Sequence, residues 1–372
     1  MKTAIVIGAG IVGLGTARAL AIKGYKVKVF ERGSFASGAS VRNFGMIWPV
    51  GQPQDTLYER ALRTKSIWKE IAGEGGIWYD EVGSMHVAYQ KDELAVIEEF
   101  VSAEKGNRPL KMLTPEEVKS YSPAAVQQGL LGGLFSADEM IVESRVAVHQ
   151  VAAYLQKKFD VEFYWDTAIS SITYPTVISG TKSWSADHIF ICNGVDFETL
   201  YPETFSQAPI TKCKLQMMRL EAQDENWRIG PALCGALSLT HYQSFKIAPS
   251  LAALKERIAN QYPEMVKWGI HVMVSQNHLG ELTIGDSHEY GLTFDPFDSA
   301  QINQYIMDYL KTFADFKNWN LQQSWNGIYA KMTNGATEFI HSPEQGVTII
   351  NAPGGAGMTL SFGLTEEVVG DL

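Results

Sequence analysis

The sequence predicts an α/β fold: a Rossmann-like nucleotide domain interrupted by a second, mostly antiparallel β domain. Three observations predict it. A strand–turn–helix–strand unit opens the chain, with IGAGIVGLG (7–15) as its turn. Apolar strand-like runs return at HIFIC (188–192) and VTIIN (347–351), each leading into glycine. Between these returns, residues 209–329 read mostly as antiparallel strands.

Each element follows from its local pattern. Thr3–Ile7 is a short apolar run, the signature of a parallel strand buried on both faces. Gly8–Gly15 turns the chain, Ile11–Ile22 has helical spacing, Gly24 ends that helix, and Lys26–Phe30 supplies the second strand. Val146, Val148, Val151, Ala152 and Leu155 predict a half-buried helix over 144–159. A strand over 161–165, a hairpin around Gly180–Thr181 and the strand HIFIC follow. Residues 81–143 hold a strand at SMHVAY (84–89) and two helices. The second of these opens on Thr114-Pro115-Glu116-Glu117, where Thr114 and Glu117 satisfy each other's end of a capping box. KLQMMRLE (214–221), IHVMVSQ (270–276) and GELTIG (280–285) predict strands, interrupted by one helix over roughly 250–260. The expected division is 1–80, 144–208 and 330–372 for the nucleotide domain, and 81–143 and 209–329 for the substrate domain.

Composition narrows the function classes. The chain has 372 residues, too many for one ordinary core, with 45% apolar and 19% charged residues, as in a soluble globular protein. A net charge of −10 disfavours nucleic acid and anionic membrane as partners. Cys192, Cys213 and Cys234 form neither a CxxC pair nor a disulfide framework, which points to a reducing cytoplasm. No apolar run approaches the roughly 18 residues of a membrane span. The apolar N-terminus belongs to the nucleotide turn and is not read as a leader.

The first glycine turn has a chemical purpose. Gly8 permits the tight turn, Gly10 lets backbone approach a pyrophosphate, and Gly13 lets helix and strand pack closely. The helix start adds free N–H groups and partial positive charge. Glu31 ends the second strand, where a carboxylate can accept from ribose hydroxyls. The unit alone leaves open which dinucleotide is bound. GASVRNFGMI (38–47) is neither a simple helix nor a regular strand, and its Ser40, Arg42 and Asn43 can line a diphosphate, a ribityl chain or a ring. A second glycine turn, NAPGGAGMTLSFG (351–363), precedes an apolar run to the end of the sequence.

Together, IGAGIVGLG with Glu31-Arg32, the Ser40–Ile47 stretch, IFICNG (189–194) and GGAGMTLSFG (354–363) resemble the FAD-dependent amine oxidase family. That family includes D-amino-acid oxidase, glycine oxidase and monomeric sarcosine oxidase. The resemblance implies a glutathione-reductase-like FAD-binding domain and hydride removal from an amine-bearing carbon to flavin N5. An imine then hydrolyses to a carbonyl compound, with reoxidation by oxygen or another electron acceptor. It places Gly8, Gly10, Ile11, Val12, Gly13, Glu31, Arg32, Ser40, Arg42, Asn43, Gly45, Met46, Asn193, Gly194, Gly355, Gly357, Met358 and Thr359 around FAD. The second glycine turn would bring a helix start to the N1–C2=O edge of the ring, where the dipole stabilises the reduced state.

Departures from the pattern shape the substrate expectation. Sarcosine oxidases hold flavin through a Cys where Trp325-Asn326-Gly327-Ile328-Tyr329 here has Gly327, so non-covalent FAD is expected. They carry a carboxylate-binding Lys where this chain has Thr359. SVRNFGM with GGAGMTLSFG is more similar to a branch associated with phosphonate degradation. That similarity implies oxidation of 2-aminoethylphosphonate or an N-alkyl derivative. Alternatives are a glycine, sarcosine or D-amino-acid oxidase, a quinone-linked amine dehydrogenase, and a non-catalytic FAD-binding module.

Arg42, Lys331, His241 and Tyr242 are the candidate catalytic or substrate-binding residues. Arg42 and Asn43 face the diphosphate, the ring or substrate, or serve the loop alone. Lys331 is placed to bring a cation to the flavin, and His241-Tyr242, with Gln243 and Ser244, to line the pocket. Trp48 borders that pocket in this scheme, and His86 is expected to be a satisfied core histidine. Asp286-Ser287-His288-Glu289 matches no standard ligand spacing, so no metal is expected.

Overall fold

The computed structural model describes residues 2–372. Its first sheet has six strands in the order Phe339–Glu344, Val347–Asn351, His188–Ile191, Thr3–Ile7, Lys26–Phe30 and Glu162–Tyr164. All neighbours run parallel except the edge hairpin Phe339–Glu344/Val347–Asn351. Ile5 lies opposite both Ile189 and Lys28, and Ile189 opposite Val347.

Both faces of this sheet are covered, which explains the unbroken apolar runs. Ala4 and Val6 join a core with the helices Ile11–Ile22, Thr56–Gly75, Ser144–Phe159 and Gly357–Gly370. Ile5 and Ile7 face the other way, into a core that includes Val177 of the three-stranded antiparallel unit Ser171–Ser185. The first and closing helices pack against each other. A Cβ on Gly15 would stand 2.7 Å from Thr365 Oγ1, so the close approach needs glycine there.

The second sheet has nine strands and is mostly antiparallel. Its backbone is the long pair Ile210–Leu220 and Leu321–Met332, in register from Ile210–Met332 to Arg219–Gln323, with a one-residue slip before Leu220–Leu321. Ser84–Ala88 sits inside this sheet, paired with Ala232–Cys234 and Gly132–Ser136. A small sheet of Met46–Ile47, Met140–Val142 and Tyr79–Asp80 connects segments on both sides of the expected boundaries.

Three details correct the sequence expectations. The predicted helix over 250–260 exists as Leu251–Gln261, but Ala300–Leu310 and two short helices, Leu237–His241 and Pro263–Lys267, accompany it. The large sheet needs this cover: Leu254, Ile258, Ile302, Ile306 and Leu310 all enter its core. On the helix Ser144–Phe159, Val146 is 46% exposed while Ala147 is buried, so the apolar stripe is rotated by one residue. The strand expected over 161–165 shortens to Glu162–Tyr164, and that over 270–276 to Met273–Gln276.

Candidate active site

The C-terminal ends of the parallel strands Thr3–Ile7, His188–Ile191 and Val347–Asn351 open into one cavity of 1620 Å³. Ligands of open α/β sheets bind at this end of the strands. The volume exceeds the 300–1,000 Å³ typical of a drug-sized site, as a dinucleotide plus substrate requires.

At one end lies the first glycine turn. Gly8 has φ +105°, and a Cβ there would stand 2.3 Å from Cys192 O. A Cβ on Gly13 would stand 1.9 Å from Gly8 O, so Gly13 is a packing residue and does not line the cavity. Gly10 opens the helix without a side-chain cap, and Ile11 N–H donates to Ser40 Oγ at 2.9 Å. Glu31 accepts from Ala9 N–H and Gly33 N–H, both at 3.0 Å. Its carboxylate is thereby fixed on the cavity wall, with lone pairs left for a ribose. Arg32 pairs with Asp196 on the same wall.

The second glycine turn faces the same space from the opposite strand end. Gly354–Ala356 forms a 3-10 turn, and Gly357 starts the closing helix with no side-chain cap. By contrast, the starts of the helices Thr56–Gly75, Lys91–Ala103, Pro115–Tyr121 and Ser144–Phe159 are closed by side chains of Asp55, Glu93, Thr114 and Glu143, whereas Leu251–Gln261 and Ala300–Leu310 also lack a side-chain cap. The open N–H groups of the closing helix are donors for a ligand edge. A Cβ on Gly355 or Gly357 would meet only ordinary contacts, at 3.4 and 3.6 Å, so no protein neighbour requires glycine at either position.

Asn351 ties the two turns together. Its side-chain amide donates to Asn193 Oδ1 and to Gly194 O, each at 2.9 Å. Asn193 and Gly194 both line the cavity, and Asn193 also donates to Asp196 O. Asn351 was missed in the sequence because an asparagine at a strand end carries no motif.

Between the turns runs the segment 38–47. Ser40, Arg42, Asn43 and Met46 line the cavity, as do Ile11 and Val12. Arg42 donates to Ser37 O at 2.8 Å and Asn326 O at 3.1 Å, which fixes its guanidinium between two loops. Asn43 donates to Ala39 O and Ser40 O and accepts from Gly45 N–H, so its amide serves the loop. Gly45 is a correction: it does not line the cavity, and a Cβ there would stand 1.9 Å from Val142 O at φ +75°. Like Gly13, it is glycine for packing.

Thr359 and Met358 line the cavity, yet each also has a structural task. Trp48 N–H donates to Thr359 Oγ1 at 2.9 Å, and Trp68 Nε1–H to Met358 O at 3.1 Å. Val50 N–H donates to Glu139 Oε1 at 2.8 Å, so the Trp48–Val50 segment is pinned at two points. Burial pushes the Glu139 carboxyl up to about 7, against the hydrogen bonds from Ser136, Val50 and Ser84.

The far end of the cavity holds the candidate substrate residues. Lys331 Nζ lies 3.2 Å from Tyr290 Oη and 5.0 Å from the centre of that ring, with no carboxylate in salt-bridge range among the described residues. Its backbone bridges to Pro353, directly before the second glycine turn. Tyr242 Oη–H donates to Met273 Sδ at 3.1 Å, and its ring lies 6.2 Å from that of Trp48. His241 stands beside His271 and His288, with ring centres 3.7 and 4.8 Å away. Burial holds the His271 and His288 imidazoles below their ordinary value, His288 at about 4. Their convergence was invisible in sequence, where they stand in three separate segments. His86 is buried as expected, but neither ring nitrogen has a partner; it packs against Trp48 and Phe245. Burial lowers it to about 3, so it stays neutral.

Comparison with known proteins now identifies the chain. Residues 3–369 match the family model described as DAO, FAD dependent oxidoreductase. The chain belongs to the DAO family of FAD-dependent oxidoreductases. It is 22% identical to the mitochondrial L-2-hydroxyglutarate dehydrogenase of Arabidopsis thaliana, over 98% of this chain and 82% of that protein. It is 27% identical to glycine oxidase of Bacillus licheniformis over 51% of this chain and 53% of the relative's length. The crystal structure of glycine oxidase from Geobacillus kaustophilus superposes with a TM-score of 0.77 at 18% identity, covering 100% and 95% of the two chains. This likeness shows the shared fold. FAD is therefore the family's cofactor, and the cradle formed by two glycine turns, each leading into a helix start, fits a dinucleotide joined to a flat ring.

Proposed function

We propose that this protein oxidises a small amine bearing an acidic group, with a phosphonate such as 2-aminoethylphosphonate or its N-alkyl form preferred. One observation supports this most: Lys331, lacking a carboxylate partner, stands beside the open start of the closing helix in the same cavity. FAD, when bound there, supplies the hydride acceptor. Lys331 holds the acidic group by charge, Tyr242 and Trp48 exclude water from the reacting carbon, and Arg42 stiffens the loop between the two glycine turns.

The proposed division assigns 1–80, 144–208 and 330–372 to the cofactor half and the remainder to the substrate half. Gly327, packed 3.3 Å (as a Cβ) from Leu215, offers no sulfur to the ring, in keeping with non-covalent FAD. All three cysteines are free and buried, which supports a cytoplasmic setting. No helix among the described residues is long and apolar enough to cross a membrane.

A second proposal concerns the electron acceptor. Oxygen is the expected acceptor, and the presence of a dehydrogenase among the relatives motivates a quinone or carrier as the alternative. Anaerobic mixing with 2-aminoethylphosphonate, its N-methyl form, glycine, sarcosine and D-amino acids, followed by an oxygen pulse, tests both. The proposal expects fastest flavin bleaching by a phosphonate and prompt peroxide formation. Faster bleaching by glycine, sarcosine or a D-amino acid overturns the phosphonate preference, and slow reoxidation without peroxide overturns the oxidase. If no amine bleaches the flavin, catalysis of this kind is excluded.

A further inference from the structure

His241, His271 and His288 come from three segments: a short helix end, the approach to a sheet strand, and the loop after the strand Leu282–Gly285. One ligand atom from each lies within 4.8 Å of the others, on the wall of the cofactor cavity. We propose that these three histidines bind a divalent transition-metal ion of the zinc class, whose open position faces the cavity and takes an oxyanion of the substrate.

One oriented ring and the unpartnered buried atoms beside it carry this. His288 Nδ1 lies 2.9 Å from Gly269 O, so it carries the proton and Nε2 keeps a free lone pair. His271 Nε2 stands 3.1 Å from Asp286 Oδ1 without hydrogen-bond geometry, and His271 Nδ1 and that Oδ1 are both buried without a partner. A ring held by a carbonyl on one nitrogen, as His288 is by Gly269 O, is how proteins orient metal-binding histidines. His271, His288 and Asp286 are 3%, 6% and 5% exposed, and all three line the cavity. His86 is the contrast: it too lacks partners, but it lies inside an aromatic cluster away from the cavity and has no second ligand beside it.

Three neutral imidazoles with an open fourth position form a donor set of the catalytic zinc type, and nitrogen donors select zinc, cobalt, nickel or copper over magnesium or calcium. Zinc–nitrogen bonds of about 2.0–2.1 Å in a tetrahedral site would draw the ligand atoms up to about 1.5 Å closer than their widest spacing. His241, the least enclosed of the three, is free to make that movement. Lys331 lines the same cavity, so an oxyanion on the metal would meet a second positive group. This anion role rests on the proposed amine oxidation; the metal site does not.

The test uses FAD-loaded protein stripped by a chelator and then titrated with Zn2+, with bound metal read by elemental analysis. One zinc per chain at micromolar affinity or tighter is expected. His241→Gln and His288→Gln should each weaken zinc at least 100-fold with FAD content and melting temperature kept near wild type. Less than a tenth of an equivalent bound, or unchanged affinity in both variants, overturns the site. Methylphosphonate, which has no amine to oxidise, should then bind at least tenfold more tightly to zinc-loaded than to stripped protein. Equal binding overturns the anion role while leaving the metal site in place. Amine bleaching is measured separately, so failure of the oxidation proposal does not mask either result.

Discussion

The two glycine turns look alike in sequence but differ in what makes them glycine. In the first, protein backbone occupies the space of a side chain: a Cβ would reach 2.3 Å from Cys192 O at Gly8 and 1.9 Å from Gly8 O at Gly13. In the second, Gly355 and Gly357 have ordinary room, and their nearest neighbours are Tyr329 and Ile11 side chains. The first turn is thus demanded by the fold. At Gly355 and Gly357 the fold makes no such demand, which is what the proposed placement of the flavin ring at this helix start requires. A glycine motif therefore reports on ligand binding only where the protein itself does not fill the space.

Substitutions can break this contrast. Gly13→Ala should have the largest effect, because the backbone must move by more than an ångström. A loss above about 3 kcal/mol is expected, outweighing the up to about 1 kcal/mol gained from helix propensity. Soluble yield and the melting temperature of the FAD-free protein measure it.

Next comes the floor beneath the second turn, where Glu139 holds Val50 N–H. Its carboxyl is raised from 4.5 to about 7, so the folded state keeps a proton that the unfolded chain releases. Its stabilising share is full below about pH 4.5 and is lost as pH rises toward 7, by at most about 3 kcal/mol. Glu139→Gln should flatten the decline of melting temperature across that window; an unchanged slope would assign the pH dependence elsewhere.

Thr359→Val should have the smallest effect. It removes the acceptor for Trp48 N–H and leaves a buried donor, a cost of about 1–2 kcal/mol. Urea unfolding gives this directly. A loss in amine turnover with stability unchanged would instead make Thr359 a substrate contact.

Much of the fold was legible because parallel strands buried on both faces leave continuous apolar runs, as in Thr3–Ile7, His188–Ile191 and Val347–Asn351. The helix Ala300–Leu310 was not, since its buried Ile302, Ile306 and Leu310 are spaced among polar residues in a segment dominated by strand patterns. At the site, glycines could be located but not sorted: only packing distances separate Gly13 and Gly45 from Gly355 and Gly357. His241, His271 and His288 are 30 and 17 residues apart in sequence, beyond any local ligand spacing, and only the large sheet brings them together.

The most direct measurement compares Gly355→Ala with Gly13→Ala in the FAD-free state and then titrates each with FAD. Gly355→Ala should melt within about 1 kcal/mol of wild type yet bind FAD at least tenfold more weakly, about 1.4 kcal/mol. Gly13→Ala should already fail before cofactor is added. Wild-type FAD affinity in Gly355→Ala, or a collapse of its FAD-free fold equal to that of Gly13→Ala, would contradict the distinction between the two turns.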